Sequence, residues 1–261
     1  MKLDLSGKTA LVCGSSQGIG KAAAVELAEL GANVVVFARN EEKLKAVQAE
    51  LDSSKNQRHS YLVADFSNKE EVVEAVYKLL ESTQVHILVN NTGGPPAGKA
   101  IDANIEEYLT AFSNHLLVNQ LITQAVVPGM KQAHYGRIIN VISTSVKQPL
   151  PNLGVSNTVR GAVANWAKTI ANELGAYGIT VNNVLPGATD TSRLDAIIKS
   201  KAEKSGAAEE SVRSSMAAAV PAQRVGKPEE IGAAIAFLAS PAAAYINGVN
   251  LPVDGGRTSS L

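Results

Sequence analysis

The chain has 261 residues, which is enough for one large α/β domain or two small ones. Lysine plus arginine and aspartate plus glutamate both number 24, so a formal net charge of zero gives no electrostatic case for binding nucleic acid or an anionic membrane. Hydrophobic residues make up 45% of the chain and aromatic residues only 4%, so the core must consist mainly of Ala, Val, Ile and Leu.

Short apolar segments rich in β-branched residues alternate with helical patterns along the chain. Several of these segments lack strict alternation, which is typical of parallel strands covered on both faces. The pattern therefore predicts one α/β domain over 1–261, a Rossmann-type doubly wound parallel sheet of about seven strands. The predicted strands are 9–13, 33–38, 60–64, 86–90, 137–143, 179–185 and 248–253. The predicted helices are 18–31, 40–51, 68–81, about 104–131, about 156–177 and 228–239.

The segment 190–226 breaks this rhythm, because it has a helical pattern but no strand. It is either a solvated pair of surface helices or a helical lid over a cleft at the carboxyl ends of the strands. Its position directly after a strand end favours the lid.

The cysteine and histidine content argues against disulfide and metal chemistry. Cys13 is the only cysteine, so no intrachain disulfide can form, and its place at the end of a buried strand predicts an inert thiol. The four histidines have no paired spacing typical of a metal site. With neither a signal-peptide pattern nor an uninterrupted apolar run of about 18 residues, we expect a soluble cytoplasmic protein.

A glycine-rich segment, "CGSSQGIG" at 13–20, lies between the first predicted strand and the first helix. Gly14, Gly18 and Gly20 allow positive φ angles and let backbone N–H groups approach an anion. The N-terminus of the following helix adds a favourable dipole. A structural turn is the simpler alternative, but this context favours nucleotide binding.

Two residues at strand ends are expected to contact the adenosine part of such a nucleotide. Arg39 ends the second strand, where an acidic residue would accept bonds from the ribose hydroxyls of NAD and a guanidinium pairs with the 2′-phosphate of NADP. Arg39 therefore favours NADP, with a surface arginine as the alternative. Asp65 follows the third strand and either accepts a bond from the adenine amino group or caps the next helix.

Several motifs occur in a fixed order, and with them the chain resembles the short-chain dehydrogenase/reductase family over nearly its full length. Any one motif alone would be unspecific, but the ordered set is highly specific. The motifs are "GSSQGIG" (14–20), "AD" (64–65), "NNTG" (90–93), "RIINVIS" (137–143), "LPG" (185–187) and "PVDGG" (252–256).

The resemblance extends the expected cofactor site. It implies that Pro186, Gly187 and Thr189 face the nicotinamide and that Thr191 contacts the pyrophosphate. Together with the residues above, the expected NADP contacts are Gly14, Ser15, Ser16, Gln17, Gly18, Ile19, Gly20, Arg39, Asp65, Phe66, Asn90, Asn91, Gly93, Arg160, Pro186, Gly187, Thr189 and Thr191.

The resemblance also locates the expected catalytic residues. Ser143 matches the serine that positions the substrate carbonyl. The family's tyrosine position, thirteen residues on, falls on Ser156, and the lysine position four residues later falls on Arg160. The family's asparagine, which holds a proton-relay water, corresponds to either Asn114 or His115.

Ser156 and Arg160 cannot reproduce the proton transfer of a tyrosine–lysine pair. A serine hydroxyl is a much weaker acid than a phenol, and an arginine is not a base at neutral pH. Arg160 can still bind ribose hydroxyls and stabilise a developing oxyanion. Lys147 or His115 could supply the proton, although a solvated loop lysine and a structural histidine are the simpler interpretations.

Two functions remain compatible with these residues. The first is an NADP-dependent oxidoreductase with a non-standard proton donor, acting on a small carbonyl or alcohol compound or on a conjugated enoyl compound. The second is a catalytically impaired NADP-binding sensor or structural module. Ser143 and the full set of nucleotide motifs favour the enzyme, and the family implies a homotetramer or homodimer.

Overall fold

The computed structural model describes residues 1–260 as an α/β domain built on one parallel sheet. Each predicted strand is confirmed, and the observed ends lie within two residues of the predicted ones. The strands are β1 (Thr9–Cys13), β2 (Asn33–Ala38), β3 (Ser60–Val63), β4 (Ile87–Asn90), β5 (Gly136–Val141), β6 (Ile179–Pro186) and β7 (Asn250–Val253).

Helices cover both faces of this sheet, as predicted for a doubly wound fold. They are α1 (Gly18–Glu29), α2 (Glu41–Glu50), α3 (Lys69–Leu80), α4 (Ile105–Phe112), α5 (Val118–Gln132), α6 (Gly154–Leu174), α7 (Ser192–Ser205), α8 (Glu209–Ala218) and α9 (Pro228–Ala239). Within residues 1–260, no helix has both the length and the apolar character that a membrane span requires.

The strand order is β3-β2-β1-β4-β5-β6-β7, and every neighbouring pair is parallel. The order reverses between β1 and β4, so the loops after these two strands diverge and leave a crevice at their carboxyl ends. The glycine-rich loop follows β1, and the "NNTG" segment follows β4. The fold therefore brings these two motifs together.

Alternate residues of the strands build two cores, one on each side of the sheet. On β1, Ala10 and Val12 face the core beneath α1 and α9, whereas Leu11 and Cys13 face the core beneath α3, α5 and α6. Burial of Cys13 raises the pKa of its thiol, which agrees with the expectation of an inert residue.

Asparagine side chains begin three of the helices. Asn40 and Asn68 accept hydrogen bonds from backbone N–H groups of α2 and α3, and Asn104 forms a capping box with Glu107 at the start of α4. Because Asn68 is the cap of α3, the interpretation of Asp65 as that cap is wrong.

The long helix expected over about 104–131 is interrupted. A π-helical turn, Ser113–Leu117, separates α4 from α5. Such turns insert an extra residue into a helix and are frequent at functional sites. No glycine or proline marks this turn, so the apolar periodicity alone predicted one continuous helix.

Candidate active site

The glycine-rich loop lies against the segment after β4 so closely that side chains are excluded. Gly14 and Gly18 have φ angles of 60° and 57°, in the left-handed region that favours glycine. A Cβ on Gly14 would collide with the backbone of Asn91, and one on Gly20 would collide with the carbonyl of Gly14. The amide of Asn91 donates to the carbonyls of Cys13 and Gly14 at 3.3 and 3.2 Å, which holds the two loops together.

Arg39 and Asp65 lie side by side at the ends of β2 and β3. One guanidinium nitrogen of Arg39 lies 3.6 Å from Oδ2 of Asp65, and the Arg39 side chain is 78% exposed. Asp65 also accepts bonds from the backbone and hydroxyl of Ser67, and these bonds lower the pKa of its carboxyl more than Arg39 does. The exposed guanidinium is therefore free to turn toward a phosphate.

A ladder of asparagines crosses four neighbouring strands, β4 to β7. Asn90 donates to Asn140, Asn140 donates to Asn183, and Asn183 donates to Asn250, with N–O distances of 2.8–2.9 Å. In the parallel register these residues are direct neighbours. The ladder explains the buried side chain of Asn90 without any cofactor, and a cofactor contact by that side chain stays a prediction.

Ser143 and the guanidinium of Arg160 both lie at the end of β5. The Ser143 hydroxyl accepts a hydrogen bond from the backbone of Ser145 at 3.0 Å, and a hydroxyl held in this way can still donate to a substrate oxygen. Arg160 projects from α6 and donates to the carbonyl of Val141 at 3.2 Å. Ser156 lies one helical turn before Arg160 and is half-buried.

The loop before α6 carries Lys147 and is fixed by Asn157. The Asn157 side chain accepts a bond from the backbone N–H of Leu150 at 3.3 Å and donates to its carbonyl at 2.9 Å. Lys147 itself is half-buried on this loop. These contacts keep the loop close to the first turn of α6.

His115 is the buried member of the Asn114–His115 pair. It is 3% exposed, and its Nδ1 lies 2.7 Å from the hydroxyl of Thr92. Burial, together with the nearby charges of Arg160 and Arg193, lowers the pKa of His115 to about 3. At neutral pH the imidazole is uncharged, so it cannot act as an imidazolium acid.

The start of α7 lies on the glycine-rich loop. The methyl of Thr191 would lie 3.2 Å from a Cβ on Gly18, and the side chain of Gln17 donates to Ser192 at 2.8 Å. The Thr191 hydroxyl also caps α7 by accepting from Leu194. The segment after β6 therefore reaches across the crevice to the opposite wall.

Backbone pairing holds the Pro186–Thr189 segment. The N–H of Gly187 donates to the carbonyl of Val253 at 3.0 Å, and a Cβ on Gly187 would crowd Asp254. The hydroxyl of Thr189 donates to the carbonyl of Gly187 at 3.2 Å. This segment thus has a fixed backbone at the carboxyl end of the sheet.

Comparison with known proteins identifies the family. A sequence model described as "Enoyl-(Acyl carrier protein) reductase" matches residues 14–258. The chain belongs to the short-chain dehydrogenase/reductase family. This membership accounts for the ordered motifs and for the parallel sheet of seven strands.

Individual relatives are similar along their full length. The "NADPH-dependent reductase BacG" of Bacillus subtilis (strain 168) is 29% identical over 98% of this chain and 100% of its own. The "3-oxoacyl-[acyl-carrier-protein] reductase FabG" of Vibrio cholerae is 38% identical over 97% of this chain and 98% of its own. The crystal structure of L-sorbose reductase from Gluconobacter frateurii, complexed with NADPH and L-sorbose, has a TM-score of 0.93 at 30% identity and covers 100% of both chains.

The residues of this short-chain dehydrogenase/reductase fit a dinucleotide. Gly14 and Gly20 let the loop after β1 pack closely on itself and on Asn91, and α1 begins at Gly18 in this loop, so the N-terminus of the helix is available to a phosphate. Arg39 is exposed at the place expected for a 2′-phosphate. A phosphate-bearing ligand requires a glycine loop that it can approach closely and a cation that it can pair with. Gly14 and Gly18, with positive φ, supply the loop, and the exposed Arg39 supplies the cation.

Sequence reasoning missed two residues of this site. Thr92 entered only as part of the "NNTG" motif, yet its hydroxyl is the partner of His115. Arg193 was not considered, because nothing in the sequence showed that the start of α7 lies over the loop after β4. Its guanidinium donates to the carbonyl of Pro95 at 2.5 Å and lies 3.4 Å from a Cβ built on Gly94.

Proposed function

We propose that the protein is an NADPH-dependent reductase of small carbonyl compounds, and that its preferred substrates carry a C=C bond conjugated with the carbonyl. The proposal is carried by one observation. The site combines a hydroxyl and a buried guanidinium, Ser143 and Arg160, with a histidine whose pKa is too low to serve as an acid. It offers oxyanion stabilisation, whereas Ser156 and His115 are unsuited to donate a proton at neutral pH.

Ser143 and Arg160 are the groups that would bind the substrate oxygen. Burial and the nearby charge of Arg193 lower the pKa of Arg160 to about 10, so Arg160 remains cationic at neutral pH. A positive charge in a dry site stabilises a developing negative charge more strongly than it would in water. The NADPH-dependent relatives, the exposed Arg39 and the glycine cradle support NADPH as the source of the hydride.

Two possible reductions differ in how strongly they need a phenolic acid. Reduction of an isolated ketone leaves an alkoxide, a strong base that needs a proton on oxygen as it forms. When a hydride reaches the β-carbon of an enone, the π electrons move to the carbonyl oxygen and form an enolate. Ser143 and Arg160 can stabilise this enolate until water protonates its α-carbon, so the net reaction consumes one enone, one NADPH and one proton.

Ser156 and Arg160 occupy, in this proposal, the positions of the family's tyrosine and lysine. Both residues lie on α6, one turn apart, and Arg160 reaches back to the strand end that precedes Ser143. Thr92 and His115 would orient the cofactor side of the cleft through their hydrogen bond. We further propose that α7 and α8, within 190–226, form a lid, since Gln17 and Ser192 already join it to the glycine-rich loop.

An assay with two simple probes tests the proposed reaction. The purified protein is mixed with NADPH carrying deuterium at the transferable position and with either 2-cyclohexenone or cyclohexanone. We expect NADPH consumption with the enone, deuterium at its β-carbon, and little turnover of the saturated ketone. Equal turnover of both probes would contradict the enone preference. Tight NADPH binding without turnover of any enone would favour the sensor or structural module.

We also propose that the protein forms a homodimer or homotetramer. Family resemblance suggests contacts through α6 and β7. In addition, α4 and the turns on either side of it expose four apolar side chains: Ile101, Ile105, Leu109 and Leu117. Exposed apolar side chains grouped in this way are typical of a protein–protein interface.

A further inference from the structure

Two arginines from distant parts of the chain converge on the candidate active site. Arg160 lies on α6, and Arg193 is the second residue of α7. The charge of Arg193 lowers the pKa of Arg160, and both charges lower the pKa of His115. Their hydrogen bonds place Arg193 against the loop after β4, at the carbonyl of Pro95, and Arg160 at the end of β5, at the carbonyl of Val141. Both charges lie close enough to act on His115.

Neither arginine has an acidic partner. Among residues 1–260, no ion pair involves Arg160 or Arg193, and their hydrogen bonds go to the main-chain carbonyls of Val141 and Pro95. The next arginine along the lid behaves differently, because Arg213 is paired with both Asp190 and Asp195. The missing counter-charge is thus a local property of the site.

Unpaired buried charges are costly and uncommon. Arg160 is only 7% exposed, whereas Arg193, which adds a second positive charge nearby, is exposed and accessible to a ligand. Carbonyl oxygens satisfy some of their N–H groups but neutralise neither charge. A protein normally buries such a group with an ion of opposite charge, so the arrangement calls for an anionic partner.

We infer that the substrate carries a carboxylate, which Arg193 binds while Arg160 and Ser143 hold the reacting oxygen. A guanidinium presents parallel N–H groups that match the two oxygens of a carboxylate. The guanidinium of Arg193 lies over Gly94, 3.4 Å from the place where a Cβ would be, and its own side chain is exposed to a ligand. The inference rests on the proposed reductase function and narrows its substrates to small enone or keto acids.

The position of Arg193 at the start of α7 links binding to the lid. Arg193 follows Thr191 and Ser192, which contact the glycine-rich loop. A carboxylate on Arg193 would therefore add a contact between lid and substrate at the place where the lid meets the cofactor loop. Only an anionic substrate would provide this contact.

A matched pair of probes tests the inference. 4-Oxocyclohex-2-ene-1-carboxylate and its primary amide have similar size and the same enone, but only the first is charged. We expect the acid to have a kcat/KM about tenfold or more above that of the amide, as a charge-assisted pair implies. Arg193→Gln should remove this preference mainly through KM, and Arg193→Lys should restore part of it. The Kd for NADPH should stay unchanged.

Lys199→Gln is the matched control, because it removes one positive charge from an exposed position of the same helix, α7. It should leave the acid-to-amide ratio unchanged. Equal use of acid and amide by the unmodified protein would overturn the inference. It would also be overturned if Arg193→Gln weakened NADPH binding and left the ratio intact, because the guanidinium would then serve the cofactor phosphates.

A binding measurement separates this inference from the proposed function. Thermal shifts of the NADP⁺-bound protein are recorded with the carboxylate probe and with its amide. Stabilisation by the acid alone, lost in Arg193→Gln, would support the anion site even if neither probe consumed NADPH, and in that case only the reductase proposal would fail. If the acid gave no more stabilisation than the amide, the anion site itself would be wrong.

Discussion

The imidazole of His115 and the hydroxyl of Thr92 are joined by a hydrogen bond of 2.7 Å. This bond connects the π-helical turn between α4 and α5 with the segment after β4, so it fixes one wall of the cleft. His115 is buried and lies near two guanidinium groups, and its pKa is lowered to about 3. The pair is therefore suited to positioning and not to proton donation.

The low pKa of His115 predicts a specific dependence of stability on pH. In the unfolded chain a histidine titrates near 6.5, whereas in the folded protein His115 stays neutral down to about pH 3. Between these two values the unfolded state binds one more proton than the folded state, so stability falls as the pH is lowered. The loss approaches about 1.4 kcal/mol per pH unit within this window.

Replacing His115 by glutamine should remove this contribution. Chemical denaturation of both proteins from pH 7.5 to 4.5 measures it. The unmodified protein should lose stability relative to His115→Gln as the pH falls below about 6.5. The matched control is His134→Asn at an exposed position, which removes a histidine without changing His115 or its contacts. Parallel pH profiles for His115→Gln and the unmodified protein would show that His115 becomes protonated in the folded state.

Arg39 should determine the choice of cofactor. Replacing it by aspartate would put a carboxylate where the 2′-phosphate is expected. We expect the free energy of NADPH binding to weaken by about 1.5–3 kcal/mol, with a smaller effect on NADH. Fluorescence titration of both cofactors measures this, and Arg58→Asp, an exposed position before β3 at the amino ends of the strands, is the control. Tighter binding of NADH than NADPH by the unmodified protein would refute the assignment.

The apolar face of α4 should lie in a subunit interface. Leu109 is 57% exposed and lies one turn from Ile105, which is 70% exposed. Leu109→Glu would bury a charge in that interface, so light scattering should show a smaller assembly than for the unmodified protein. Tyr77→Glu, at an equally exposed position on α3, should leave the mass unchanged. A monomer for the unmodified protein at micromolar concentration would contradict the proposal.

The sequence predicted the strands and the two loops at the crevice because these features depend on local patterns. Runs of β-branched residues and glycines at a strand–helix junction report on burial and backbone angles within a few residues. The π-helical turn at Ser113–Leu117 could not be predicted in the same way, because its apolar pattern is also that of a continuous helix. In the structure, His115 of this turn is hydrogen-bonded to Thr92, which is distant in sequence.

The electrostatic character of the site was also hidden from the sequence. Arg193 is 33 residues from Arg160 in the chain, and only the return of α7 over the loop after β4 brings their charges together. Spacing could not reveal this contact, because it depends on the path of the segment that follows β6. The asparagine ladder is similar, since each member looks like an ordinary strand residue until the strands are paired.

Exchanging the two atypical residues of α6 tests what the loss of the family's tyrosine–lysine pair costs this site. The double change Ser156→Tyr and Arg160→Lys places a phenol one helical turn before an ammonium, on the same face of α6 and close to Ser143. A general acid contributes roughly 10²–10⁴-fold, or about 3–6 kcal/mol at the transition state. We expect the double variant to reduce cyclohexanone measurably faster than the unmodified protein.

The single changes decide whether Ser156 takes part in catalysis. Ser156→Ala should have little effect on turnover of an enone, because the serine is not the acid in the proposed reaction. Arg160→Lys alone should lower enone turnover, since a point charge replaces a guanidinium that is held by the carbonyl of Val141. If Ser156→Ala abolished a robust activity while NADPH binding stayed intact, the serine would be catalytic. The oxyanion would then no longer be stabilised by Ser143 and Arg160 alone, and the proton would have to pass through the Ser156 hydroxyl.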